Sequence, residues 1–266
     1  MTNPYAPFDP PVARVFIEQP EVKSSWLIRG FIKEGGFTIL SGPPKLAGKS
    51  LYSDLIALAL ATGVSVGLDD VTRQTNVLSV QEETPQQDAQ DRLKAIAATH
   101  DLDAGLDALW YSHLAGTDLL SDTHCAEMCR VVIEKKIGLV VLDPWSNIYP
   151  DDENDKKLVT VALRFIGQVQ RSGAAVLLIM HWNKEGMKDR KMDMDLCLRG
   201  HTALQGAYDT HRALRRYSED EEETRVQTRN KHAAPMKDRW LKWLLTWSYD
   251  STRGDEVLTR AEVVWR

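Results

Sequence analysis

The sequence predicts an α/β fold: a mostly parallel, twisted sheet flanked by helices, with antiparallel strands added toward the C-terminus. Three observations predict it. First, the runs Ile137-Gly-Leu-Val-Val-Leu142 and Ala174-Ala-Val-Leu-Leu-Ile-Met180 are continuously apolar, as strands covered on both faces of a parallel sheet are. Second, segments of helical periodicity alternate with such strands. Third, a short strand enters a Gly/Pro loop that ends in Gly48-Lys49-Ser50 and opens into a helix, the layout of a phosphate-binding loop.

Bulk properties narrow the class. The chain has 266 residues, 43% apolar and 27% charged, with a net charge of −5. That suits one large domain, or one with a small appendage, and an ordinary buried core. No general basic field advertises nucleic acid, so any such binding must be local. The start, Met1-Thr-Asn-Pro, has neither a basic nor an apolar leader segment, and no apolar run reaches membrane-span length. The three cysteines suggest free thiols in a reducing, cytoplasmic setting. Cys125 and Cys129 lie one helical turn apart near His124, but lack the further ligands a metal site needs.

Element by element, residues 1–25 are Pro-rich and read as a surface arm, leaving 26–266 as the main domain. A first strand spans about 36–41, and a helix with Leu51, Leu55, Leu58 and Ala59 on one face runs from Lys49 to near Gly63. Strands follow at 76–81 and 109–114. A helix carrying Arg92 and Leu93 lies between them, and a helix at 123–135 follows. The strand at 137–143, a helix at 157–171 and the strand at 174–181 complete the alternation. Strands near 209–217, 223–231 and 241–248 come last. In the third of these Leu241, Trp243, Leu245 and Trp247 share a face if it is a strand, and Trp240, Trp243 and Trp247 if it is a helix. The strand is the expectation. The acidic run 219–223 reads as a solvated turn.

The phosphate loop is irregular. The motif asks for Gly, four residues, then Gly-Lys-Ser/Thr, and Gly42 stands one residue too early. Either the loop is longer by one residue or it starts at Pro43. The candidate nucleotide contacts are Gly42, Pro44, Lys45, Leu46, Ala47, Gly48, Lys49, Ser50 and Leu51. Backbone N–H groups from Leu46 to Ser50 would face the anion, Lys49 would grip the terminal phosphates, and Ser50 can ligate Mg²⁺. ATP and Mg²⁺ are therefore the expected cofactors.

Ligands of open α/β sheets sit at the carboxyl ends of the strands. Asp143, after the 137–142 run, is placed to hold Mg²⁺ through water. Glu82 and Glu83 end the neighbouring strand, and a carboxylate there can activate water for attack on the γ-phosphate. Glu82, nearer the strand, is the expected base. His181 ends the 174–180 strand, where a neutral imidazole can bond a phosphate oxygen or simply sit satisfied in the core.

Taken together, these pieces resemble the RecA-type P-loop ATPases, most closely the RepA-like branch of plasmid and phage hexameric replicative helicases. The matching pieces include Trp26-Leu-Ile-Arg-Gly30, Gly42-Pro-Pro-Lys45, Val80-Gln-Glu-Glu-Thr-Pro85, Leu142-Asp-Pro-Trp-Ser146 and Asp152-Glu-Asn154. His181 with Lys184, Arg199-Gly-His-Thr-Ala-Leu-Gln-Gly-Ala-Tyr-Asp209 and Thr228-Arg-Asn-Lys231 complete them.

The resemblance implies further roles. Arg92 would pack on the adenine. Arg229 and Lys231 would reach the ATP site of the next subunit, stabilising charge on the transferring phosphoryl group. The chain would form a homo-oligomeric ring, expected to be a hexamer, and act as an ATP-driven helicase on single-stranded DNA. DNA would bind on two loops, 145–157 and 182–202, the second through Lys184, Lys188, Arg190, Lys191 and Arg199. Four acidic residues offset those five cations, a weak footprint for phosphate tracking. The alternatives are a RecA- or RadA-like recombination ATPase and an ATP-gated regulatory protein without helicase activity.

Overall fold

A computed structural model of the protein describes residues 12–18, 25–67, 69–149, 155–200, 202–231, 233–234 and 236–266. The expected arm at 1–25 and the Asp152-Glu-Asn154 segment fall largely or wholly outside these. Within the arm, Ala13–Ile17 forms a short helix, α1. Strands β1 (Trp26–Ile28) and β2 (Ile32–Lys33) make a small hairpin. The elements that follow are β3 (Phe37–Gly42), α2 (Lys49–Thr62), β4 (Asn76–Gln81), α3 (Gln86–His100), β5 (Leu109–His113) and α4 (Asp122–Glu134). Then come β6 (Ile137–Asp143), α5 (Trp145–Ile148), α6 (Lys156–Arg171), β7 (Ala175–His181) and α7 (Ala203–Ala207). Strands β8 (Thr210–Arg215), β9 (Thr224–Asn230), β10 (Arg239–Asp250) and β11 (Asp255–Trp265) close the chain.

One nine-stranded sheet runs in the order β11-β10-β9-β8-β3-β7-β6-β4-β5. The half from β8 to β5 is parallel, and β8, β9, β10 and β11 pair antiparallel. This is the mostly parallel α/β sheet with C-terminal antiparallel strands that the apolar runs predict. Alternation along the strands divides the core in two. Leu40, Val77, Leu139, Val141, Leu177 and Ile179 pack toward α2. Ile39, Leu78, Val80, Val140, Leu142 and Leu178 pack on the other side, with residues of α4 and α6. Each such buried side chain contributes about 1.5–3 kcal/mol.

The C-terminal region differs from expectation in one respect. The strand at 241–248 is longer, and it turns into β11, which the sequence reading missed. The resulting hairpin lies back over the P-loop helix and α3. Leu241, Leu258, Ala261 and Val263 join the core on the α2 side, with Trp243 and Trp265 packed against it. Trp265 meets the Tyr52 ring edge-on at 6.1 Å.

The loops also differ. Trp145 and Tyr149 stack at 4.4 Å and, with Ile148, are buried. The first half of the 145–157 candidate DNA loop is therefore core, and residues 150–154 lie outside the described part. The 182–200 segment is packed as well: Trp182, Met194 and Cys197 form a small core with Ala213.

Candidate active site

The strand order brings the carboxyl ends of β3, β7, β6 and β4 side by side above the start of α2. Gly42 pairs with His181, and Gln81 with Asp143. Gly42 is still part of β3, so the loop proper starts at Pro43, the second of the two readings. A Cβ on Gly42 would stand 2.7 Å from the Leu214 carbonyl and 2.9 Å from the Ala47 methyl, so only glycine fits this exit. Lys45 turns at φ 63°, with the Leu46 N–H donating to the Pro44 carbonyl at 2.8 Å. That consumes one of the expected anion donors. The N–H groups of Ala47 to Ser50, at the helix start, remain to face an anion. Gly48 adopts φ 65°, which other residues adopt at a cost.

Lys49 folds back over the loop. Its ammonium donates to the carbonyls of Gly42 at 3.1 Å and Pro43 at 2.9 Å. Burial pulls its pKa down to about 8, although Asp143 and Glu83 oppose the shift. Asp143 is fully buried, which raises its pKa. Gln81 donates to it at 3.0 Å, and a hydrogen bond from the Ser50 side chain and the charges of Arg92 and Lys49 favour its ionised form. A serine hydroxyl and a carboxylate in contact beneath the phosphate cradle fit a magnesium ion held through phosphate and water rather than in a protein cage. Among the described residues no cluster of three or more His, Cys, Asp or Glu side chains could hold a metal without a ligand.

Glu82, the expected base, is held by backbone. Both its carboxylate oxygens are taken, by the N–H groups of Gly116 at 3.1 Å and Thr117 at 3.0 Å. Glu83 instead stands 3.5 Å from the His181 Nε2 and acts electrostatically on Lys49. Strand alternation accounts for the difference between the two glutamates: residues 77, 139, 141, 177 and 179 face α2. Gln81, Asp143 and His181 continue that face, and so does Glu83, whereas Glu82 continues the opposite one. His181 is kept neutral, first by burial and then by the Lys49 charge, and its Nδ1 is buried with no partner among the described residues.

Arg92, the residue implied to pack on the adenine, is held by α2. Its Nε is bound to Asp54 of α2 at 2.5 Å, and only 12% of its side chain is exposed. Its Nη2 is buried with no partner among the described residues. Arg92 does line a cavity of ≈ 300 Å³ with Leu51, Thr84, Leu245, Trp247 and Leu258. The cavity sits beside the P-loop, roofed by the C-terminal hairpin. The Arg253–Asp91 ion pair, at 2.8 Å, ties the hairpin turn to α3.

The basic pair on β9 has partners within its own chain. Arg229 bonds Asp193 at 2.7 Å and Asp195 at 2.5 Å. The Lys231 ammonium donates to the carbonyls of Gln205 and Gly206 and stands 4.0 Å from the Tyr208 ring centroid. At Arg229 the strand β9 is paired with β8 alone, because β10 joins β9 only at residues 224–226, and Lys231 follows the end of β9. The five loop cations Lys184, Lys188, Arg190, Lys191 and Arg199 are all exposed. Arg190 is paired with Glu221 at 2.5 Å. The three cysteines are free.

Comparison with known proteins places these observations. The profile of the AAA_25 family, described as AAA domain, matches residues 4–187. No curated protein sequence matches the chain. Among solved structures, a KaiC-like protein of the hyperthermophilic archaeon Pyrococcus horikoshii OT3 superposes with a TM-score of 0.56 at 16% identity. The match covers 90% of this chain and 98% of that one. At that identity the likeness is one of fold, and the fold is the RecA-like α/β sheet described above.

Proposed function

The chain belongs to the AAA_25 family of AAA domains and is a RecA-type P-loop ATPase in fold, and on that premise we propose that it hydrolyses ATP as a ring-forming motor on single-stranded DNA. The observation that carries the hydrolytic part is the convergence of Lys49, Ser50, Asp143, Glu83 and His181 at four adjacent strand ends.

The N–H groups at the start of α2 and the Lys49 ammonium bind the phosphates. Reaching them requires Lys49 to leave the Gly42 and Pro43 carbonyls, which the charge of a bound triphosphate favours. Ser50 and Asp143 would hold Mg²⁺, which when bound would neutralise negative charge that develops on the phosphates. Glu83 accepts the proton of the attacking water. His181, neutral and beside Glu83, bonds a phosphate oxygen and registers its loss. The adenine enters the cavity under the C-terminal hairpin, with Leu51 and Trp247 as its apolar walls and Arg92 at its edge.

Arg229 acts on the ATP of the next subunit, and Lys231 supports the same interface. The exposed cations of 182–202 face the channel of the ring and track DNA phosphates. The loop continues directly from β7 and returns to it, the Arg199 N–H donating to the His181 carbonyl at 3.2 Å, so its position depends on nucleotide state. Two of its four acids are engaged by Arg229 and one of its five cations by Glu221, so the balance of charge on the loop stays slightly positive.

A second reading, an ATP-gated regulator without helicase activity, is favoured by the net charge of −5 and by the pairing of Arg190 with Glu221. Anisotropy of a labelled oligo-dT at low salt, with particle mass measured in a non-hydrolysable ATP analogue, decides between them. The motor predicts an oligomer that binds the oligonucleotide with affinity falling as salt rises. An oligomer with no binding at low salt leaves the regulator, and a strict monomer that hydrolyses ATP at full rate removes Arg229 from the reaction.

A further inference from the structure

The sheet face turned away from α2 carries a chain of hydrogen bonds outside the hydrolysis site. The Trp182 indole donates to Ser41 Oγ at 3.0 Å. Ser41 Oγ and His211 Nε2 are 2.7 Å apart, as are His211 Nδ1 and Asp195 Oδ1. Asp195 also accepts from the Tyr208 hydroxyl at 2.6 Å and from Arg229 at 2.5 Å.

Donor bookkeeping fixes the polarity. An indole only donates and a carboxylate only accepts. A neutral His211 therefore carries its proton on Nδ1 toward Asp195 and receives the Ser41 O–H at Nε2. Every partner is then satisfied. Burial keeps His211 neutral against the pull of Asp195. Ser41 and His211 have no exposed surface, so the Ser-His-Asp arrangement cannot meet a substrate and is not a nucleophilic triad.

Its two ends give it meaning. Ser41 immediately precedes Gly42, the last strand residue before the P-loop, and Trp182 immediately follows His181. At the far end Asp195, with Asp193, fixes the guanidinium of Arg229, whose side chain is still 43% exposed. A fully satisfied buried network shifts as a unit, because a half-broken one leaves desolvated polar atoms unpaired.

We propose that His211 and Asp195 are positioning residues for Arg229, and that the Trp182–Ser41–His211–Asp195 chain couples the arginine offered to the neighbouring subunit to the strand ends that hold and sense phosphate in the subunit's own site. This rests on the reading of Arg229 as acting in the next subunit's ATP site. Each subunit would then align its arginine according to its own nucleotide, which passes hydrolysis around the ring in order.

The test uses full-length protein in its assembled state and the variants Arg229→Ala, Asp195→Asn, His211→Gln and Ser41→Ala. For each, kcat, KM and the ATP Kd are measured, and the His211 ring is observed by ¹⁵N NMR with an ATP analogue and with ADP. Asp195→Asn and His211→Gln are expected to lower kcat about tenfold with KM and Kd almost unchanged, since the subunit's own pocket is untouched. Ser41→Ala should lower kcat less. The wild-type His211 should show the Nδ1–H tautomer, with a signal that differs between the two nucleotides.

If Arg229→Ala is slow while Asp195→Asn and His211→Gln run at the wild-type rate, the positioning role is overturned and the arginine reading stands. If Arg229→Ala runs at the wild-type rate, both fall. A His211 signal identical in both nucleotide states overturns the coupling, and it does so even where a substitution at His211 fails to fold.

Discussion

Glu82 and Glu83 differ by one position and serve opposite sides of the sheet. Glu83→Gln is expected to lower kcat by about 10²-fold or more, the usual weight of a general base, with ATP affinity kept in calorimetry. Glu82→Ala should instead lower the unfolding free energy by about 1–3 kcal/mol, because the N–H groups of Gly116 and Thr117 lose their acceptor. The reverse pattern would return the base to Glu82. Lys49 gives a pH dependence with a definite sign. Its folded pKa of about 8 lies below the ordinary 10.5. The free protein therefore loses this charge as pH rises through about 8, and ATP affinity falls by up to about tenfold per pH unit above that. Folding stability moves the other way. Between about 8 and 10.5 the unfolded chain binds the proton that the folded chain does not, so this group's contribution to stability rises with pH. Calorimetric titration of ATP from pH 7 to 9 checks the affinity trend. At this scale the residues of the site were legible as types, and so was the parity that sets Glu82 and Glu83 on opposite faces of the strand. The partners of Arg229 were not. Asp193 and Asp195 lie more than thirty positions away, and only the packing of the 182–200 segment brings them together.

The C-terminal hairpin is the element that the sequence hides and the site needs. Strand β10 announces itself by alternating Leu and Trp. Strand β11 carries Asp255, Glu256, Arg260 and Glu262, and a bulge at Thr246/Trp247 breaks the alternation of its buried positions Leu258, Ala261 and Val263. A charged strand with a register shift has no clean period of two. The hairpin's contact with the P-loop is tight: a Cβ on Gly48 would lie 2.9 Å from Trp243 Nε1. Gly48→Ala must therefore move the indole and also adopt left-handed backbone, which alone costs about 1–2 kcal/mol. A lowered thermal midpoint is expected. Trp247, 53% exposed at the rim of the cavity proposed for adenine, adds little to folding. Trp247→Ala should leave the midpoint in place and weaken ATP binding by about threefold to tenfold, the worth of an aromatic stacking contact. Unchanged affinity would place the base elsewhere.

At the scale of the whole molecule, strands alternating with helices made the parallel half of the sheet legible from apolar runs alone. Strand order was not legible, because residues adjacent in the sheet, such as those of β3 and β8, are far apart in the chain. That order carries the account: it sets β3 between β7 and β8, so the P-loop strand touches the strand that ends in His181 on one side and the strand of His211, proposed to position Arg229, on the other. No helix among the described residues is long and apolar enough to cross a membrane. The proposed DNA binding rests on the exposed cations of the 182–202 segment, so it should be weak per subunit, summed over a ring, and sensitive to salt. The most direct measurement is the steady-state rate of phosphate release by the assembled protein as single-stranded DNA is titrated in at low salt, with Lys49→Ala alongside. A rate that rises and saturates with DNA, declines with added salt and is absent in Lys49→Ala is the predicted result. A wild-type rate that stays flat at every DNA concentration would contradict the motor and leave an ATPase that works on something else.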